Sequence, residues 1–338
     1  MASQTPPSVG IIVNPASGRD IRRLYGWAKL FSTAEKINIV MRLLVSLGQM
    51  GIRCVWMPPD HTGIAREVLR SAHLASRSRE LPMPEVRLLD MPVSGSTADS
   101  THAAQSMRSH GVRSIAVLGG DGTHRAVALG CGDTPLAAIS TGTNNAFPEP
   151  LEATVVGVAM ALHAWARVDD AVAVRSNKRL LVRGNGWQDT ALVDVAVTHQ
   201  INTGAGAIDD AADLCELFVS FAQPDAVGLS SIAGLILPTP RDAAHGVHVR
   251  LGPGRWLHAP LMPGLLAHVP IGQAEPLWPG KAVTLAGIDG TLALDGERRI
   301  EIRSGDPIAV EIDAHGPRTL EVSNVLAHAA IHGLLVTP

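Results

Sequence analysis

Apolar and polar residues alternate along the chain in two regimes. Residues 9–13 form a short β-branched run that stops at Asn14-Pro15, as a buried strand does. Over 34–50, Ile37, Val40, Met41, Leu44, Val45 and Leu47 recur at helical spacing, and Gly51 follows as a stop. Further strands are expected at 53–57, 86–89, 115–118 and 135–139, with helices at 61–75 and 97–109 between them and another starting near His124. Strands alternating with helices predict a doubly wound parallel sheet covered on both faces. One more helix follows at 153–166. From about Val172 onward, Gly and Pro punctuate short strand-like runs at 191–198, 246–251, 282–286, 291–294 and 308–312. One helical interruption is expected near 209–222. The fold class is α/β: an α/β domain over 1–150, a β-rich domain over 151–318, and a tail, 319–338, that packs back on the first.

Composition narrows the function. The 338 residues are 46% hydrophobic and 17% charged, a globular balance. With 28 Lys and Arg against 31 Asp and Glu, the net charge of −3 leaves no basic footprint for nucleic acid. No apolar run approaches the roughly 20 residues of a membrane span. No basic region followed by an apolar stretch opens the chain, so a cytoplasmic protein without membrane insertion is expected. Cys54, Cys131 and Cys215 form no CxxC pair and read as buried thiols. Trp27, Trp56, Trp165, Trp187, Trp256 and Trp278 are dispersed and read mostly as core or domain-boundary residues.

Ligands of open α/β sheets bind beyond the carboxyl ends of the strands, and three unusual turns fall there. NPASG at 14–18 follows the first strand with small residues and the Ser17 hydroxyl, although Asn-Pro and Ser-Gly are also ordinary turn dipeptides. GGDGT at 119–123 has three glycines that admit a close ligand, ahead of a helix whose positive end favours phosphate. Asp121 in such an anion site makes sense if Mg²⁺ lies between or if it handles a proton. STGTNN at 140–145 offers further polar groups, Asn145 among them for a substrate contact. There is no GxxxxGK[ST], so this is not a P-loop chain.

NPASG, GGDGT and GTNN, in this order and on these elements, resemble the superfamily of NAD kinases and diacylglycerol or sphingosine kinases. LDGER at 294–298 also matches, so the resemblance spans nearly the whole chain. Within it, GGDGTHRAVA and ISTGTNNAFPE are similar to the acetoin-catabolism protein X branch, classed with ATP–NAD kinases. The resemblance implies ATP with Mg²⁺ against the GGDGT loop, a small-molecule hydroxyl in the cleft between domains, and a homo-oligomer. Asn14, Ser17, Gly119, Gly120, Gly122 and Thr123 then cradle phosphates, with Thr143 and Asn144 beside the nucleotide. Asp121 becomes the residue for metal or proton handling.

The acceptor stays open at this stage. NAD kinases usually carry an Asn-Glu or Asn-Asp pair where this chain has Val193-Asp194, so only Asp194 is left to meet a ribose hydroxyl. Asp295-Gly296-Glu297 instead matches the lipid kinases, as two carboxylates able to deprotonate a hydroxyl or as a hairpin turn. His124 and Arg125 oppose the helix dipole, and one of them is expected to touch a phosphate of ATP or substrate. Three readings follow: a kinase of NAD(H) at the 2′-hydroxyl, a kinase of another small hydroxylated metabolite or lipid, and a non-catalytic nucleotide-binding regulator.

Overall fold

The computed structural model describes residues 6–17, 31–78, 81–142, 145–200, 213–285, 287–296 and 298–336. Strands β1 (Ser8–Val13), β2 (Cys54–Met57), β3 (Glu85–Leu88), β4 (Ile115–Gly119) and β5 (Leu136–Ser140) pair in parallel in the order 3-2-1-4-5. Helices α1 (Thr33–Gln49), α2 (Ile64–Ser78), α3 (Ala98–Ser109), α4 (Asp121–Cys131) and α5 (Ala153–Ala164) cover both faces. α1 begins at an N-cap serine: the Ser32 hydroxyl accepts the Glu35 N–H at 3.1 Å. Its apolar stripe, Ile39, Val40, Leu43, Leu44 and Leu47, packs with Val156 and Met160 of α5 in one core. On the opposite face Met107 of α3 and Val127 of α4 close a second core over Ile12, Ile115 and Val117.

The chain then passes through α6 (Asp170–Ala173) and β6 (Val174–Ser176) into antiparallel structure. β7 (Arg179–Gly184), β8 (Trp187–Ala191), β9 (Asp194–Thr198), β10 (Leu214–Val219), α7 (Ser230–Ile236), β11 (Gly246–Met262) and β12 (Leu265–Leu277) follow. After them come β13 (Val283–Leu285), β14 (Gly290–Leu294), β15 (Arg298–Ile302), β16 (Ile308–Asp313), β17 (Arg318–Leu320) and α8 (Val322–Ile331). One sheet runs 12-11-10-9-14-15 and another 13-16-7-8. The two enclose a core of Leu180, Val182, Val195, Val197, Phe218, Leu292 and Val310.

The tail crosses back. β17 lies parallel to β5, with Thr319 opposite Leu136, and antiparallel to β6. Val325 and Ala329 of α8 enter the same core as Ile11 and Leu43.

Three expectations are corrected. Within 209–222 the described residues form strand β10 rather than a helix, because Leu217, Phe218 and Val219 pair between β9 and β11; the helix comes later, at α7. A short apolar run does not distinguish helix from strand, and the neighbouring strands decide. The strand expected at 246–251 continues to Met262, since β12 pairs along it through bulges near Leu251 and Arg255. On that ribbon Trp256 is 67% exposed, and Trp278 just after it is 46% exposed, so neither is a core residue. Trp27 lies outside the described residues. Among the described residues no helix is long and apolar enough to cross a membrane.

Candidate active site at the strand ends of the parallel sheet

Strand order reverses between β1 and β4, because the chain winds outward to β3 and then returns to the other side of β1. The crevice at that reversal is where open α/β sheets bind ligands. NPASG leaves β1 and GGDGT leaves β4 on its two sides, and the loops are joined: Asn14 Nδ2 donates to Thr123 Oγ1 at 2.7 Å. Ser17 Oγ donates to the Asn14 carbonyl at 3.0 Å and lies 3.0 Å from Thr141 Oγ1, just past β5.

Beneath NPASG is a residue that the motif reading missed. Lys36 of α1 is 1% exposed, and its ammonium donates to the carbonyls of Asn14 (3.0 Å), Pro15 (2.9 Å) and Ser17 (2.6 Å). Its signal in the sequence is a lysine in register with the apolar stripe, four residues before Val40.

The GGDGT segment is helical earlier than expected. α4 starts at Asp121, with Gly120 extended as its N-cap, so Asp121 and Thr123 stand on its first turn. A carboxylate there is favoured by the helix dipole. Gly119 is needed by packing inside the protein: a Cβ would sit 2.4 Å from Thr123 Cβ. Gly142 likewise makes room for Asn145, whose amide donates to Ser140 Oγ at 2.7 Å.

Two buried carboxylates meet at the junction of the two halves. Asp121 accepts the N–H of Phe147 at 2.8 Å and that of Ala146 at 3.1 and 3.2 Å. Burial first, and the neighbouring Asp295 second, push its pKa up to about 7. Asp295 sits in the β14–β15 turn with φ 49°, followed by Gly296 at φ 68°. Its carboxylate accepts the N–H groups of Leu192 (2.9 Å), Val193 (2.8 Å) and Asp194 (3.3 Å). Burial raises its pKa against the pull of those donors and of Arg125. The Asp-Gly pair thus makes the expected hairpin turn, and it places a carboxylate near Asp121.

His124 and Arg125 are both buried. His124 is fully buried with Nδ1 2.9 Å from the Gly120 carbonyl. Burial pushes its imidazole down to about 4, so at neutral pH it adds no cation against the dipole. Arg125 bonds Asp189 at 3.2 Å and lies 3.8 Å from Asp295, while Arg298 takes the other Asp189 oxygen at 3.1 Å. These ion pairs fasten α4 to β8 and to the 294–298 turn. Asp194 is 8% exposed, and its peptide N–H and carbonyl both bond Asp295. Thr143, Asn144 and Glu297 lie outside the described residues.

Arg241 completes the junction and carries no motif that would reveal it. It is 9% exposed, and its Nη2 donates to the carbonyls of Ala146 and Phe147, both at 2.5 Å. Its guanidinium lies 4.5 Å from the Phe221 ring centre and 5.2 Å from that of Phe147. These rings, with Ala138, Leu192 and Val193, form a small apolar cluster under the site.

The residues present fit a nucleotide at the β1–β4 crevice. Asn14 and Ser17 are half-buried, and a Thr123 hydroxyl that accepts from Asn14 keeps its own proton to donate. Among the described residues no group of three or more His, Cys, Asp or Glu side chains is placed to hold a metal ion.

A parallel sheet with a glycine-rich helix start at its reversal point, ahead of antiparallel sheets, defines an NAD-kinase-type architecture, and residues 9–164 match the ATP-NAD kinase N-terminal domain. Residues 178–315 match the acetoin catabolism protein X C-terminal domain. The chain is 42% identical over 344 residues to acetoin catabolism protein X of Cupriavidus necator, covering 99% of this chain and 95% of that protein. The chain belongs to the acetoin catabolism protein X family.

Proposed function

We propose that the protein is an ATP-dependent kinase that transfers a phosphoryl group to a hydroxyl of a small molecule, with the 2′-hydroxyl of NAD(H) as the favoured acceptor. One observation carries this reading: Asp121 stands on the first turn of α4 beside the reversal point, buried, with its pKa raised to about 7. A general base works best with a pKa near the operating pH. In this mechanism Asp121 accepts the acceptor hydroxyl's proton as the oxygen attacks the γ-phosphorus and the bond to the β–γ bridging oxygen breaks, releasing ADP. Asn14, Ser17 and Thr123 hold the phosphates in line, which supplies much of what phosphoryl transfer requires. Mg²⁺ bound with ATP would neutralise phosphate oxygen charge. Burial, and after it the neighbouring Asp295, keep Asp121 basic.

A second acceptor class is favoured by Val193, which stands where NAD kinases have the Asn of their dinucleotide-holding pair and leaves only Asp194. The test is incubation of purified protein with Mg²⁺–ATP and NAD, NADH, diacylglycerol or small polyols. NADP(H) formation that disappears in Asp121→Asn is expected. Transfer to another acceptor alone would move the reading to that class. ATP binding without any transfer would leave a nucleotide-binding regulator.

A further inference from the structure

We propose that Arg241 is a positioning residue for Asp121: it clamps one peptide group from behind so that the amide on the other side is held against the carboxylate. The proposal rests on the kinase reading above, and it extends the reacting site into the second half of the chain.

The peptide between Ala146 and Phe147 is gripped from both ends. Its N–H donates to Asp121 at 2.8 Å, and its carbonyl accepts from Arg241 at 2.5 Å. The neighbouring peptides repeat the pattern, the Ala146 N–H meeting Asp121 and the Phe147 carbonyl meeting Arg241. A carboxylate and a guanidinium thus bracket a short run of backbone, and hydrogen bonds in such a chain polarise one another.

Arg241 is itself fixed. Thr239 and Ala222 exchange two backbone hydrogen bonds, at 2.7 and 2.8 Å, and Pro240 stiffens the step to Arg241. The Phe147 and Phe221 rings flank the guanidinium, where cation–π attraction adds to the hold. Its Nη2 reaches both carbonyls, while its Nε has no hydrogen-bond partner among the described residues.

The charge matters as well as the hydrogen bonds. Asp295 opposes ionisation of Asp121 and Arg241 favours it. Glu149, Arg175, Glu321 and His124 also interact with the Arg241 charge. Loss of the guanidinium therefore frees the 146–147 backbone and raises the proton affinity of Asp121.

The experiment compares wild type, Arg241→Ala and Arg241→Lys. Arg241→Ala is expected to lower kcat on the order of tenfold to a hundredfold, the scale of a misplaced reacting group, with little change in the KM for ATP. The acid limb of its kcat profile is expected to move to higher pH, and Arg241→Lys to move it back toward wild type. Variants that lose thermal stability but keep the wild-type pH profile would overturn the proposal, since a purely structural residue behaves that way.

The same coupling is read without turnover. The pH dependence of unfolding is measured with Asp121 and with Asp121→Asn, each in the Arg241 and Arg241→Ala backgrounds. The difference within each pair reports the titration of Asp121. A midpoint that rises when Arg241 is removed supports the coupling even if no acceptor is phosphorylated and the kinase reading falls. An unchanged midpoint overturns it. Should Arg241→Ala fail to fold, Arg241→Gln, which keeps a donor without the charge, is read by the same criterion.

Discussion

At the scale of single residues, Asp121 stores a conflict that pH reveals. An unfolded aspartate loses its proton near pH 4, whereas Asp121 keeps it to about pH 7. Between those values the folded state binds more protons than the unfolded state, so stability falls as pH rises through the window and levels above it. Asp295 is shifted in the same direction and adds to the trend. Asp121→Asn keeps an oxygen for the Phe147 N–H and has no charge to bury. It is expected to be more stable than wild type at pH 8 and to lose most of that advantage at pH 4, as read by urea unfolding at the two values. A reactive carboxylate maintained against folding is a common stability–activity compromise. Asp121 was legible in the sequence because its motif is local. Lys36 and Arg241 were not, since each acts on backbone carbonyls far along the chain and only folding brings them there.

At the scale of elements, the site is made of strand ends fastened from below. The NPASG turn owes its shape to three carbonyls converging on one ammonium. Lys36→Met has nearly the right volume but no donor, and is expected to cost about 1–3 kcal/mol. ATP should bind more weakly to that variant, because the turn carrying Asn14 and Ser17 loses its anchor; isothermal titration with ATP checks this alongside the unfolding curve. The 294–298 turn is fixed similarly, by Asp295 capturing three successive N–H groups. The β1 to β5 alternation could be read directly, because strand and helix periods differ and Gly and Pro mark the joints. The start of α4 was misjudged because Asp-Gly-Thr reads as loop, while the Gly120 cap and the dipole make it helix. β10 was misread because its apolar run fits either period until β9 and β11 are beside it.

At the scale of the whole molecule, the two halves are interlocked. Arg125 and Asp295 join them above the site, Arg241 joins them below it, and β17 with α8 returns to the first sheet. A chain ending at 316 lacks β17 and α8, leaving β5 as an edge and uncovering α5. It is expected to aggregate or bind a hydrophobic dye, whereas the full chain does neither; size-exclusion chromatography and dye fluorescence distinguish the two.

The returning strand also sets a timetable. Leu136 and Thr319 are neighbours in the sheet, yet roughly 180 residues are translated between them. At the ~5–20 residues per second of protein synthesis, that interval is about 10–35 seconds. Throughout it the emerging polypeptide carries an unpaired strand edge, the kind of surface on which nascent chains misassemble. A premature stop ahead of Arg318 would therefore leave the sheet that was synthesised first permanently unfinished.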